Sequence, residues 1–184
     1  MYMEKKTKNV YGLPISRKDI VKIFFDAPTH KIWINPKTKE INDESNAVDF
    51  VCDEGVLVRA SFDGKVVFVL DGLTKNWNDI KNSPPESVMP FSETSGNIVV
   101  IEHVNKEVSW YCHLKNGSIR VKVGDIVKMG DVVGLTGNTG MSLGPHLHFL
   151  VSRLINEKKD MSYRSLVVRW EDEDVVKKCL GKLG

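Results

Sequence analysis

Two histidines separated by one residue, His146 and His148, sit in the stretch Gly144-Pro145-His146-Leu147-His148-Phe149. Residues 147–151 are apolar apart from His148 and read as a strand. In a strand, side chains at i and i+2 share a face, so the two imidazoles project together, roughly 7 Å apart. Paired imidazoles suit a metal site, where one ring binds and its neighbour handles a proton. The plainer reading is one packed and one solvated ring. Asp49 is a lone carboxylate within the otherwise apolar run 47–52. An ionised carboxylate buried alone is costly, so it needs a cation or several hydrogen-bond donors. His113 closes the run Trp110-Tyr111-Cys112-His113-Leu114, and taken alone it reads as a core histidine. Together, Asp49, His113, His146 and His148 supply three imidazoles and one carboxylate from three β segments. That set can hold zinc with an acid/base group to spare.

The elements that must position these residues are nearly all strands. Residues 56–60 and 65–70 flank Phe62-Asp63-Gly64 and read as a hairpin, and 97–103 and 107–113 form a second around Asn105-Lys106. Residues 121–125 and 127–131 repeat a short apolar-turn unit, followed by strand 132–135 and the loop Thr136-Gly137-Asn138-Thr139-Gly140. Residues 71–95 form a long polar loop containing Pro84-Pro85. Upstream, 20–25 and 32–34 read as strands, with a turn at 35–38. Downstream, a polar break at 156–160 precedes a strand at 166–170 and a helix over 174–183. The pattern predicts an all-β fold, an antiparallel sandwich or barrel-like core with a short C-terminal helix. Residues 1–44 are read as an N-terminal extension packed on the core, 45–155 as the core, and 156–184 as the terminal strand and helix.

The 184 residues suffice for one domain with a real core, and 41% hydrophobic with 27% charged residues is a globular composition. A net charge of +2 gives no case for nucleic acid or a membrane surface. No apolar run approaches the roughly 20 residues that span a bilayer. Residues 1–10 lack the apolar segment of a secretory leader, so the expectation is a cytoplasmic protein, with export by another route left open. Cys52, Cys112 and Cys179 form no CxxC and are expected to be free thiols.

The order Asp49-Phe50, Gly64-x-Val66, Asn97-x-Val99-x-Ile101-x-His103, Tyr111-x-His113-Leu114, Gly137-Asn138-Thr139-Gly140 and Gly144-Pro145-His146-Leu147-His148-Phe149 resembles the lysostaphin-type, or LytM-like, zinc metallopeptidases. The resemblance covers roughly residues 45–152. It implies a grooved antiparallel β core and endopeptidase action on peptides of bacterial cell walls (peptidoglycan). It further implies Asp49 and His148 as zinc ligands, and His113 and His146 as the histidines that handle the attacking water and the oxyanion. His103 matches a position without a catalytic role.

One departure stands out. The family's first ligand is a histidine four residues before the aspartate, and here that position is Ser45, with Ala47 where glycine is frequent. Losing both suggests a plainer, straight strand rather than a substituted ligand. Serine is a poor neutral ligand, and two protein ligands fall short of the three of a catalytic zinc site. His30 is the alternative third ligand, since relatives with Ala-x-Asp-Phe carry a histidine further upstream; Asp43 and Glu44 are weaker oxygen candidates. The expectation is a metalloendopeptidase-like domain with an impaired or rearranged site, holding zinc weakly or not at all. The alternative is an inactive member that binds a peptide or regulates a protein partner. A third reading, from the resemblance of residues 123–130 to biotinyl and lipoyl carrier turns, requires a lysine at a hairpin tip, and Lys128 lies inside an apolar run instead.

Overall fold

The computed structural model describes residues 5–25, 27–35, 39–76, 94–155 and 162–174. The helix expected over 174–183 lies outside them but for its first residue, as do positions 36–38, Cys179, the 156–160 break and most of the 71–95 loop. Among the described residues the chain is all-β, and no helix there is long and apolar enough to cross a membrane.

The framework is a ten-stranded sheet built around β12 (His146–Leu154). One edge of β12 pairs with β9 (Val108–Leu114), which continues through β8 (Asn97–Glu102) and β7 (Gly64–Leu70) to β10 (Ile126–Val127). Its other edge is shared. Residues 146–149 pair with β5 (Val48–Val51), and 152–154 pair with β13 (Tyr163–Ser165). β5 in turn carries β2 (Lys22–Phe24), while β13 carries β4 (Ile41–Asp43) and β3 (Ile32–Ile34). Two smaller pairs complete the fold: β1 (Lys6–Tyr11) with β14 (Val167–Trp170), and β6 (Leu57–Arg59) with β11 (Val132–Leu135). The hairpin expected between 56–60 and 65–70 does not form: β6 pairs with β11 and β7 with β8 and β10. Asp63 is committed elsewhere, accepting from the Met129 amide at 2.8 Å and from Lys128 Nζ at 2.9 Å.

Alternation along β12 divides the sheet into two faces. Leu147, Phe149 and Val151 enter the larger core with Phe50, Tyr111, Leu114 and Trp170. Leu150 faces a smaller cluster with Ala47, Val100, Trp110, Cys112 and Tyr163. His146 and His148 have the parity of Leu150 and fall on that second face. Cys52 and Cys112 are buried free thiols.

Strict alternation would turn His113 away from that face, because Tyr111 belongs to the larger core and Cys112 to the smaller. Leu114, three residues after Tyr111, returns to the larger core, so the alternation breaks between them. The break is at His113, whose φ is 61°, and the β8–β9 register slips between Asn97 and Val99. A bulge of this kind re-aims one side chain.

For a residue with a Cβ, left-handed backbone costs about 1–2 kcal/mol. His113→Gly and His113→Ala delete the same imidazole but differ in that cost. Thermal or urea unfolding should therefore show the glycine variant more stable than the alanine variant by about 1 kcal/mol, the reverse of the usual order within strands. Greater stability of the alanine variant would show that position 113 carries no left-handed strain.

Candidate metal centre

Asp49 on β5 and His148 on β12 are direct cross-strand partners, and Asp49 Oδ1 lies 2.9 Å from His148 Nδ1. The third member is His30, from the segment between β2 and β3. β2 pairs with β5 so that Phe24 faces Asp49, which brings the chain leaving β2 beside the carboxylate. His30 donates its amide to the Ala27 carbonyl at 2.8 Å, and its Nδ1 faces the Phe25 carbonyl at 3.4 Å. That leaves Nε2 directed inward, 3.2 Å from Asp49 Oδ1. The His30 side chain is 1% exposed, and its Nε2 is buried without a well-formed hydrogen bond. One donor atom from each of His30, Asp49 and His148 falls within 4.8 Å of the others.

Electrostatics tie the three together. Burial works against the charge of Asp49, but the hydrogen bond from His148 and the nearness of His30 and His146 outweigh it, holding the carboxyl well below its usual range. Burial alone would lower the His148 pKa. Hydrogen bonds to Asp49 and Glu44 overcome this and push it up to about 10.

His113 and His146 flank this group. The His113 ring centroid is 4.7 Å from that of His146 and 5.8 Å from that of His148. His146 Nε2 is 3.8 Å from Asp49 Oδ1. Each ring is fixed by its other nitrogen: His113 Nδ1 donates to the Thr139 carbonyl at 2.7 Å, and His146 Nδ1 to the Gly144 carbonyl at 2.8 Å. A ring protonated at Nδ1 presents Nε2 as a lone pair. Burial, reinforced by neighbouring histidines, lowers the His113 pKa well below its ordinary value. Burial also lowers that of His146, against opposition from Asp49. Both rings are therefore neutral near pH 7.

The glycine-rich loop exists to hold those carbonyls. Thr139 Oγ1 donates to the Leu114 carbonyl at 2.9 Å and accepts from the Asn97 amide at 3.0 Å. A Cβ on Gly137 would lie 2.4 Å from the Lys115 nitrogen, and Gly140, at φ 75°, packs equally tightly on Gly96. Ser142 Oγ lies 2.7 Å from Asn138 Oδ1 and 2.8 Å from the Gly144 carbonyl, bracing the turn before His146.

Ser45 takes no part in the cluster. Residues 45 and 46 form a turn between β4 and β5, not the straight strand implied by losing the histidine and glycine. The Ser45 hydroxyl donates to Asp43 Oδ1 at 2.6 Å and sits 3.5 Å from Ser165 Oγ. Asp43 Oδ1 accepts from Ser45 and Ser165, and Asp43 lies outside the three-residue cluster. Glu44 meets His148 at Nε2, 3.0 Å away, on the side of the ring opposite Asp49. His103 bridges the Asp63 carbonyl and Ser109 Oγ within the fold. Lys128 is ion-paired with Asp63.

The sequence profile of peptidase family M23 matches residues 43–161. A protein of Buchnera aphidicola described as an uncharacterized metalloprotease is 35% identical over 83% of this chain and 40% of its own length. A peptidoglycan DD-endopeptidase of Vibrio cholerae, ShyA, is 37% identical over 63% of this chain and 22% of its own length. Among solved structures, a zinc-containing peptidase from Vibrio cholerae superposes with a TM-score of 0.51 at 28% identity, covering 78% of this chain and 36% of that one. The chain thus spans less than half the length of these relatives. The matched profile, the similar proteases and the shared all-β fold lead to one conclusion: the chain belongs to peptidase family M23, a family of zinc metallopeptidases.

Proposed function

We propose that this chain is a zinc-dependent endopeptidase domain acting on peptide bonds of bacterial cell-wall peptides, with His30 in place of the histidine missing at position 45. The observation that carries the reading is the buried His30 Nε2, lacking a hydrogen bond and aimed at Asp49 beside His148. Two nitrogens and one carboxylate oxygen are a zinc donor set. At metal–ligand lengths of about 2.0–2.1 Å, tetrahedral ligands lie about 3.3 Å apart. Asp49 Oδ1 stands 3.2 Å from His30 Nε2 and 2.9 Å from His148 Nδ1, close to that spacing. His30, Asp49 and His148 would hold the ion, leaving a fourth position for substrate or water.

Zinc bound there supplies Lewis acidity, which acidifies water and polarises a peptide carbonyl. The remaining work falls to His113 and His146. Each is neutral with Nε2 free, so either can accept the proton that water loses on attack. Once protonated, the same Nε2–H can donate to the oxyanion or to the leaving amine. The Thr139 and Gly144 carbonyls hold the tautomers throughout, as hydrogen bonds from Nδ1 persist in both protonation states. Cell-wall peptides are the substrate class of the similar ShyA enzyme, named as a peptidoglycan DD-endopeptidase, and support the same class here.

Zinc measured after dialysis against a mild chelator should approach one ion per chain. His30→Ala should lose most of it, whereas Ser45→Ala, which touches the Asp43, Asn46 and Ser165 side chains, should keep it. The variants should rank the same way in chelator-sensitive cleavage of purified peptidoglycan. Protein that retains no zinc and cleaves nothing would instead favour a peptide- or partner-binding module.

Zinc affinity should also depend on pH. The raised His148 pKa means that Nδ1 carries a proton near neutrality, and metal entry must displace it. Affinity should therefore fall about tenfold for each pH unit lowered between pH 8 and 7, one proton released per ion. Competition titrations against a chromophoric chelator would measure the slope; a flat profile would exclude this protonated state.

A further inference from the structure

We propose that Glu44 is a positioning residue for the metal centre, fixing His148 in the tautomer that presents Nδ1 to the ion. The inference rests on the zinc reading above, but it concerns a residue outside the donor set. His148 has two nitrogens with different neighbours. Nδ1 faces Asp49 Oδ1, the oxygen that also lies 3.2 Å from His30 Nε2, and Nε2 faces Glu44 Oε2 at 3.0 Å. An ionised carboxylate can only accept, so Nε2 must keep its hydrogen while Nδ1 is the atom free to bind. A carboxylate on the far nitrogen also makes the ring a stronger donor.

Glu44 is itself held. Its second oxygen, Oε1, accepts from the Tyr163 hydroxyl. Tyr163 begins β13, which pairs with β4 on one side, Tyr163 opposite Asn42, and with β12 on the other, Tyr163 opposite Leu154. Glu44 follows β4 directly, so the strand that extends β12 also anchors the carboxylate contacting its histidine. Glu44 and His148 are similarly shielded, with side chains 15% and 14% exposed. A mobile surface acid would have no such fixed partner on both oxygens.

The test compares Glu44→Ala and Glu44→Gln in the full chain. Glutamine keeps an acceptor for Nε2–H and can offer its amide hydrogens to the Tyr163 oxygen; alanine keeps neither. Zinc affinity, by chelator competition, should fall roughly 10–100-fold in Glu44→Ala and by only a few-fold in Glu44→Gln. Imidazole ¹⁵N spectra of the zinc-loaded proteins supply a second readout. The His148 Nε2–H signal should be protected from exchange in wild type and Glu44→Gln, and broadened in Glu44→Ala. Should the alanine variant fail to fold, Tyr163→Phe, which frees Glu44 without removing it, should show a smaller change in the same direction. Wild-type affinity and an unchanged Nε2–H signal in Glu44→Ala would overturn the role of Glu44 and leave the zinc reading intact. Wild-type protein that binds no zinc would overturn the zinc reading and, with it, the positioning role.

Discussion

The site depends on one half-buried negative charge. Asp49 lies within a strand whose neighbours, Val48 and Phe50, face the larger core, so water can do little to solvate it. A carboxylate in that setting must recruit positive or donating partners. It faces Nδ1 of His148 across the β5–β12 pair, Nε2 of His30 and, further off, Nε2 of His146. The sheet around it can be read as the apparatus that gathers four imidazoles, three facing its oxygen and His113 stacked beside them. β12 pairs with β5 for two histidines, β9 bulges for His113, and β2 pairs with β5 to deliver His30.

The all-β class and much of the site were legible because they rest on local rules. His146 and His148 share a face because strands alternate, and their parity survives in the fold. A lone aspartate in an apolar run correctly announced a charge in need of partners. The Tyr111-x-His113-Leu114 and Gly137-to-Gly140 blocks carried the resemblance that the family match supports.

What was not legible depended on pairing between distant segments or on backbone exceptions. His113 reaches the site only through a left-handed residue that breaks the alternation of β9, and nothing in its neighbours signals that break. The approach of His30 follows from β2 lying beside β5, a pairing that periodicity does not encode. Ser45 looked like a gap in a straight strand; the turn at 45–46 shows that the local path differs. Glu44 was weighed as an oxygen donor, yet its place on the far nitrogen of His148 depends on β13. Glu107 gave no signal at all. It is fully buried and accepts from the Lys8 and Asn9 amides and the Tyr11 hydroxyl, so a carboxylate in the centre of the chain tethers its first strand.

The division of one edge of β12 between β5 and β13 bears on how the molecule is made. Asp49 and His148 are 99 residues apart, and Glu44 and His148 are 104 apart. Closing loops of that size loses chain entropy before any contact is gained, so such pairings form late in folding. No autonomous fragment contains the centre: a nascent chain exposes His30 and Asp49 long before His148 has been synthesised. Assembly of the His30–Asp49–His148 cluster is therefore a late event that depends on completion of the sheet. A polypeptide stalled before β12 would hold the Asp49 carboxylate without the cross-strand imidazole that stabilises its charge.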